Sequence, residues 1–325
     1  MTTLSPTRPG RRGPRRRPSL GPHRGQCRGY SAIPGETPGS LPWRSVKSLI
    51  LLVCVVLVVL PFVAIVSTSL ADSVEVTQAG GYVLWPDHPT FSAYQALLNG
   101  GIVSKAMLVS VGVTVVGTTL SLVSSIMLAY GLSRPGSFGH KPVLLLLLMS
   151  MLFVPGVIPS YLMVKQLGLI NSYWSLILPT MINAFNVIVL RSFFMSVPQE
   201  LIDAARIDGA SEVNILTRVV LPLSKASVAV IGLFYAVTYW NAFFNALLYI
   251  NDASKWPMQL VLRTYVVNNA ALSGGQVDVA AGAPLPPAQS LQAAILVLSI
   301  VPIVIIYPFL QRHMNKGVMV RAVKG

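Results

Sequence analysis

Ser196-Val-Pro-Gln-Glu-Leu-Ile-Asp203-Ala-Ala-Arg-Ile-Asp-Gly209-Ala210 is a polar interlude between long apolar stretches, and it carries its own start and stop signals. Ser196 is placed to cap a helix, Gln199 to reach back in a capping box, and Pro198 to sit in the first turn. Gly209 suits the helix end. About a dozen residues at roughly 1.5 Å each make a rod of about 18 Å. It is too polar to span a membrane, so it should run along the membrane surface or project below it. On this rod Leu201, Ala204, Ala205 and Asp208 share a face by their i, i+3, i+4, i+7 spacing, and Asp203 and Arg206 can pair at i, i+3. The small Ala pair permits close approach by a partner. The same pattern also fits an amphipathic linker resting on its own bundle.

The surroundings decide where such a rod can lie. The chain of 325 residues is 53% hydrophobic and 10% charged, with a mean hydropathy of +0.66, whereas a soluble globular protein carries roughly 25% charged residues. A bilayer is the natural solvent for such a composition. The net charge of +14 does not indicate nucleic acid, because 10 of the 24 Lys and Arg precede residue 48 and the others are scattered among apolar segments. Residues 1–45, with Arg11-Arg12 and Arg15-Arg16-Arg17 among many Pro and Gly, are expected to form a disordered cytoplasmic tail, and residues 46–325 the membrane domain. The apolar run Val46 to Leu70 exceeds a signal-peptide core and reads as a retained helix. Cys27 and Cys54 leave no framework for a disulfide, a zinc site or a thiol catalyst.

Six segments are long and apolar enough to cross the hydrocarbon, near 46–70, 104–132, 142–164, 171–194, 220–249 and 289–311. Pro155 and Pro159 in the third and Pro179 in the fourth predict kinks. Lys and Arg set the orientation. The connection 71–103 has none, and the other two on that side carry Lys165 and then Lys255 with Arg263. The opposite side carries the basic tail, Arg134, Lys141, Arg191, Arg206, Arg218, Lys225, Arg312, Lys316, Arg321 and Lys324. Both termini and the interlude at 196–222 are therefore expected in the cytoplasm. The external connection 71–103, with Trp85-Pro-Asp and a short helix around Phe91 to Leu98, is large enough to contact another protein.

The interlude has a second layer. Asp203-Ala204-Ala205, three residues, Gly209, nine residues, then Val219-Val220-Leu221-Pro222 resembles the cytoplasmic loop of permeases from binding-protein-dependent ABC importers, which reads Glu-Ala-Ala, Gly and Ile-x-Leu-Pro at these spacings. Asp replaces Glu and Val replaces Ile. Tyr239-Trp-Asn-Ala-Phe-Phe-Asn-Ala-Leu-Leu-Tyr-Ile250, Trp256-Pro-Met-Gln-Leu260, Tyr307-Pro-Phe-Leu-Gln-Arg312 and Lys316-Gly-Val-Met-Val320 are similar to the carbohydrate branch, maltose-type second permeases and their relatives for larger and uronate-containing oligosaccharides. The resemblance covers residues 46–325. It implies an all-α, six-span type I importer permease in the bacterial cytoplasmic membrane. It also implies two ATPase subunits, a second permease forming a heterodimer, an extracytoplasmic sugar-binding protein, and no cofactor or chemistry of its own. In that family the loop is a coupling helix seated in a cleft of the ATPase. Asp203, Ala204, Ala205, Arg206, Asp208 and Gly209 would be its contact positions, with Leu221 and Pro222 shaping the start of the fifth span.

In the fifth span Thr238, Asn241 and Asn245 fall on one helical face with Tyr235, Tyr239 and Trp240 close by. Amides and aromatic faces suit a sugar path. They suit interhelical hydrogen bonding equally. Asn183 and Asn186 in the fourth span stand in the same position. Leu272-Ser-Gly-Gly-Gln276 spells the signature of ABC ATPase domains, but it falls in an external loop and the chain has no Gly-x-x-x-x-Gly-Lys-Ser/Thr phosphate loop. His23, His88, His140 and His313 are isolated and make no enzyme constellation. An ion-coupled secondary transporter is the main rival. Such proteins place ionisable groups at mid-membrane, and the apolar centres here contain none. A membrane scaffold would leave the Asp-Ala-Ala loop unexplained.

Overall fold

The longest helix with described side chains along its whole length, Ile102–Ser133 (α4), shows why the chain folds as it does. In the computed structural model, which describes residues 41–99, 101–134, 136, 139–268 and 286–322, it extends over 32 residues. At about 1.5 Å per residue that is roughly 48 Å, against a hydrocarbon core of about 30 Å. Its buried face carries a row of small side chains, Ser110, Gly117, Ser121, Ser125 and Ala129, beside larger ones such as Val113 and Leu132. Lys225–Trp240 (α12) packs along this row. Tyr239 Oη lies 2.7 Å from Ser121 Oγ and Tyr235 Oη 2.6 Å from Ser125 Oγ. A Cβ at Gly117 would meet the Tyr239 ring at 2.9 Å. Small residues let the backbones approach, and the hydroxyl pairs then satisfy each other inside an apolar solvent.

Other helices add to this pair. Ala184–Met195 (α8) lies against α4 and buries Val187, Leu190 and Phe194. Ala288–Ala322 (α15) packs on α12, where Trp240 Nε1 donates to the Ser299 carbonyl at 3.1 Å. Met258–Leu262 (α14) is tied to α4 by its first amide, Met258 N to Ser110 Oγ at 2.7 Å. A second apolar cluster joins Leu97, Val103, Met258, Val261, Leu291 and Ile295. It includes the short helix Ser92–Leu98 (α3), close to the stretch expected around Phe91 to Leu98.

The chain up to Val56 and the chain from Leu57 onward are separate units. In the first, the helix Leu41–Leu70 (α1) has begun and its apolar side chains from Leu49 to Val56 are exposed. The helix starts at Leu41, five residues before the boundary expected at 46. The remainder of the predicted tail, residues 1–40, and the Leu272–Gln276 motif lie outside the described residues.

Among the described residues three helical stretches are long and apolar enough to cross a membrane, Ser45–Leu70, Ile102–Ser133 and Ala288–Pro308, and two bent pairs, each taken as one span, raise the number to five. The fourth predicted span is one such pair. Trp174–Ile177 (α7), prolonged by a 3-10 turn at Leu178–Thr180, meets α8 at 52°. The third predicted span, 142–164, is two short helices, His140–Leu152 (α5) and Val157–Gln166 (α6). They are separated by Phe153–Gly156, where Pro155 and Gly156 interrupt the ladder.

The α4–α12 contact yields a direct prediction. Gly117→Ala should lower the thermal unfolding midpoint of the detergent-solubilised protein, corresponding to about 1–3 kcal/mol for an overpacked contact. Gly112→Ala, where a Cβ has open space, should leave the midpoint unchanged or raise it.

Candidate functional site

The polar interlude forms a helix, Gln199–Ile207 (α9), shorter than the dozen residues expected. Ser196 does not cap it. Ser196 is still in helical conformation at the end of α8, and its Oγ donates to the Phe193 carbonyl at 2.8 Å. That satisfies one of the acceptors left free where α8 stops. Gln199 makes no capping box either; its Nε2 donates to Asp203 Oδ1 at 3.2 Å. Pro198 occupies the cap position. The C-terminal end follows expectation. Gly209 has φ +77°, its amide donates to the Arg206 carbonyl at 3.0 Å, and the Ala210 amide donates to Ala205 at 3.0 Å. This double closure needs the left-handed residue that glycine supplies without strain.

α9 has an inner and an outer face. Ile202 is buried, and Ala205 and Ala210 pack on the main apolar cluster with Val197 and Ile215. Leu201, Ala204 and Asp208 are exposed, so three of the four residues expected on one face point outward and Ala205 turns toward the bundle. Ile207, absent from the sequence expectation, is 87% exposed. Its spacing from Ala204 extends the outer stripe, a signal the i, i+3, i+4, i+7 template overlooked.

Arg206 and Asp203 do pair, with Nη1 at 3.6 Å from Oδ1. The stronger partner of Arg206 is Glu212, whose Oε1 accepts from Nη2 at 2.9 Å and Nε at 3.3 Å. The other Glu212 oxygen accepts from Tyr130 Oη, at the end of α4. Arg134 Nη2 donates to Tyr130 Oη at 2.9 Å and lies over the ring, 4.6 Å from its centroid. The Tyr130 hydrogen bond, and after it that of Arg206, hold the Glu212 carboxyl below its ordinary value, while the Glu212 contact keeps Arg206 more firmly protonated. A lowered carboxyl contributes stability above its unfolded pKa and loses it as pH falls through the lowered value. The network is thus intact at neutral pH. Arg206 faces this network rather than the exposed stripe.

Beyond Gly209 the chain turns back toward the bundle in a compact elbow. Glu212–Ile215 (α10) is capped by Ser211, whose Oγ accepts from Asn214 N at 3.4 Å. A π-type turn, Leu216–Val220, leads into Leu221–Leu223 (α11). From there the direction changes by 88° into α12. Pro222 has no amide to donate to the fourth carbonyl back, so the regular ladder cannot continue through it. Leu221 packs on the main cluster while Pro222 is exposed.

The residues proposed for a sugar path divide into two sets. Tyr239 and Trp240 are buried and spent on Ser121, the Ile177 carbonyl and the Ser299 carbonyl. Tyr235 likewise bonds Ser125 and accepts from the Asn183 amide. Thr238 and Asn241 are exposed, each donating to its own helix, Thr238 Oγ1 to Phe234 O at 2.7 Å and Asn241 Nδ2 to Val237 O at 3.0 Å. Asn245 does not continue their face. α12 ends at Trp240 with Asn241 as its C-terminal cap, and Asn245 belongs to a separate helix, Phe243–Tyr249 (α13), where it is partly buried. Asn183 caps α8 through its Oδ1, which accepts from Asn186 N at 3.2 Å, and Asn186 is itself buried.

With helix, elbow and bundle in place, comparison with known proteins gives a consistent result. Residues 121–320 match the family described as binding-protein-dependent transport system inner membrane component. A polygalacturonan/rhamnogalacturonan transport system permease protein, YtcP, of Bacillus subtilis (strain 168) is 43% identical over 275 residues, covering 85% of this chain and 96% of its own length. Protein LplC of the same organism is 43% identical over 269 residues, 82% and 90% of the two chains. Among solved structures, a bacterial ABC transporter involved in import of the acidic polysaccharide alginate aligns with a TM-score of 0.77 and 28% identity, covering 86% of this chain and 99% of that one. The chain belongs to the binding-protein-dependent transport system inner membrane component family and is a multi-pass membrane protein.

The φ of +77° at Gly209 makes the helix end sensitive to residue type. Gly209→Val should speed hydrogen exchange at the Gly209-flanking amides by destabilising the closure about 1–3 kcal/mol. Gly209→Asn, which tolerates the left-handed region, should stay close to the wild type.

Proposed function

We propose that this chain is one permease subunit of an ATP-driven importer, that it crosses the membrane six times with both termini cytoplasmic, and that it passes a sugar or oligosaccharide delivered by an extracytoplasmic binding protein. Residues 46–325 form the membrane domain and 196–222 the coupling loop. The observation that carries the assignment is the outer face of α9. Leu201, Ala204, Ile207 and Asp208 are exposed on a helix whose opposite face rests on the bundle. An isoleucine left this exposed is a contact waiting for a partner, and covering it is worth about 1.5–3 kcal/mol. The partner is an ATPase subunit, one for each of two permeases, so a second, different permease completes the pair. ATP-driven closure of the ATPase dimer moves α9 and, through Leu221 and Pro222, tilts α12. This subunit performs no chemistry itself.

The substrate class is supported by the names of the relatives, a polygalacturonan/rhamnogalacturonan permease and an importer of alginate. Oligosaccharides containing uronates are therefore the first to test. Thr238 and Asn241 offer polar groups on an exposed face of α12, while Tyr239, Trp240, Asn183 and Asn186 act from behind, holding that helix and the head of α8 in place.

A mild-detergent pull-down of the tagged chain from its native membrane should recover an ATPase and a second permease, with ATP hydrolysis stimulated by oligogalacturonate and its binding protein. A chain recovered alone under conditions that preserve a known importer would overturn ATP coupling. Gly209→Asp should insert at wild-type abundance yet reduce uptake severely, because a side chain and a charge then stand beside the ATPase contact. Wild-type uptake in that variant would remove α9 from the coupling role.

A further inference from the structure

We propose that Tyr130 and Glu212, with Arg206, form a strut that carries movement of α9 directly to the cytoplasmic end of α4, in addition to the covalent route through the elbow into α12. The proposal rests on the coupling role assigned above to α9. The covalent route is indirect, since the chain passes Gly209, α10, a π-type turn and an 88° bend before α12 begins. The strut is short. Arg206 on α9 holds Glu212 Oε1 by two N–H groups, Glu212 Oε2 accepts from Tyr130, and Tyr130 belongs to the last turn of α4. Arg134 donates to the same tyrosine oxygen, so the hydroxyl is fixed from both sides. Arg191 Nε of α8 donates to the Leu132 carbonyl at 2.9 Å, which ties the same end of α4 to the helix preceding α9. Bonds to ionised groups are stronger than neutral ones and more directional.

The mechanical gain is that α4 and α12 move together. They are already joined along their length by the Ser121–Tyr239 and Ser125–Tyr235 pairs. If α9 pushed only α12, those buried bonds would be sheared. If it pushes both helices, the pair tilts as one body. Tyr130 and Glu212 are thus positioning residues for transport, acting through α9 and α4 without touching a substrate.

The test is hydrogen exchange on the complete transporter, purified with its ATPase subunits, second permease and binding protein in nanodiscs, with and without ATP and vanadate. In the wild type, nucleotide should change exchange both in α9 and at Ala129–Leu132 of α4. Tyr130→Phe keeps the ring and removes only the hydroxyl. It should leave the α9 response intact and cut the α4 response about tenfold, the scale of one charge-assisted hydrogen bond. Glu212→Ala should do the same, the double variant should be no worse than either single one, and Glu212→Gln, which keeps an acceptor for Tyr130, should restore much of the response. A purely structural role would alter exchange equally with and without nucleotide. A full α4 response in Tyr130→Phe, or additive loss in the double variant, overturns the strut while leaving the coupling role standing. A wild-type α9 indifferent to nucleotide overturns both.

Discussion

Two tyrosines of α12 reach into a furrow of small residues on α4, and in a lipid solvent this contact does what apolar burial does in water. Lipid tails are as apolar as leucine, so burying leucine gives helices no reason to associate. Close backbone approach and mutual satisfaction of polar groups remain. Gly117 leaves room for the Tyr239 ring, and Ser121 and Ser125 meet the two hydroxyls. Once this pair is set, α8 and α15 have a fixed surface to pack on. The exposed leucines and valines of α1 are then the ordinary appearance of a helix facing acyl chains.

The elements from α9 to α11 inherit their position from the same pair. Ile202, Ala205 and Ala210 sit on the apolar cluster that contains Tyr235 and Tyr239, and the Glu212 carboxylate links the far side of α9 to α4. α9 is therefore held on its inner face by packing and at its end by charge. Its outer face is left with Leu201 and Ile207 exposed. A free amphipathic linker would hide such residues against the bundle, as it hides Ile202. The helix is turned so that Ile202 is covered and Ile207 is presented.

Much of this was legible in the sequence because membranes constrain patterns strongly. Apolar length located α1, α4 and α15, and the turn at Gly209 follows from residue type alone. The N-terminal end of α9 was misread because Ser196 and Gln199 satisfy a capping template without regard to what precedes them. The helix before them extends to Met195, so Ser196 serves its end instead. The network of Tyr130, Arg134, Arg206 and Glu212 was invisible for a different reason. Its members are separated by up to 82 positions, and no periodicity connects a tyrosine at the end of one helix to a glutamate in a later loop. Continuity of the spans was also overestimated. The fourth span bends where Pro179 predicts a kink, but hydropathy averages over a window, and the two-residue break at Asn241–Ala242 in the fifth scarcely changes the mean.

Those breaks change what the asparagines mean. Non-helical backbone at membrane depth is tolerated only where protein or trapped water satisfies it. Asn183 stands at the head of α8 and accepts from the Asn186 amide, while its own amide is taken by Tyr235. Asn241 stands at the end of α12 and donates to the Val237 carbonyl. Each asparagine thus repairs the helix end it occupies, and the amide pattern that resembles a sugar path is first a condition for interrupted helices. The two roles are compatible. An interrupted helix leaves backbone carbonyls and amides without helical partners, and a polar substrate passing such a point meets hydrogen-bonding groups that an unbroken span would have withheld. The unbroken helix α4, which has no internal proline, lacks this property and serves as the frame. The broken half, from α7 to α13, also contains the elbow, so under the coupling role proposed for α9 the polar backbone and the hinge belong to one continuous segment of chain.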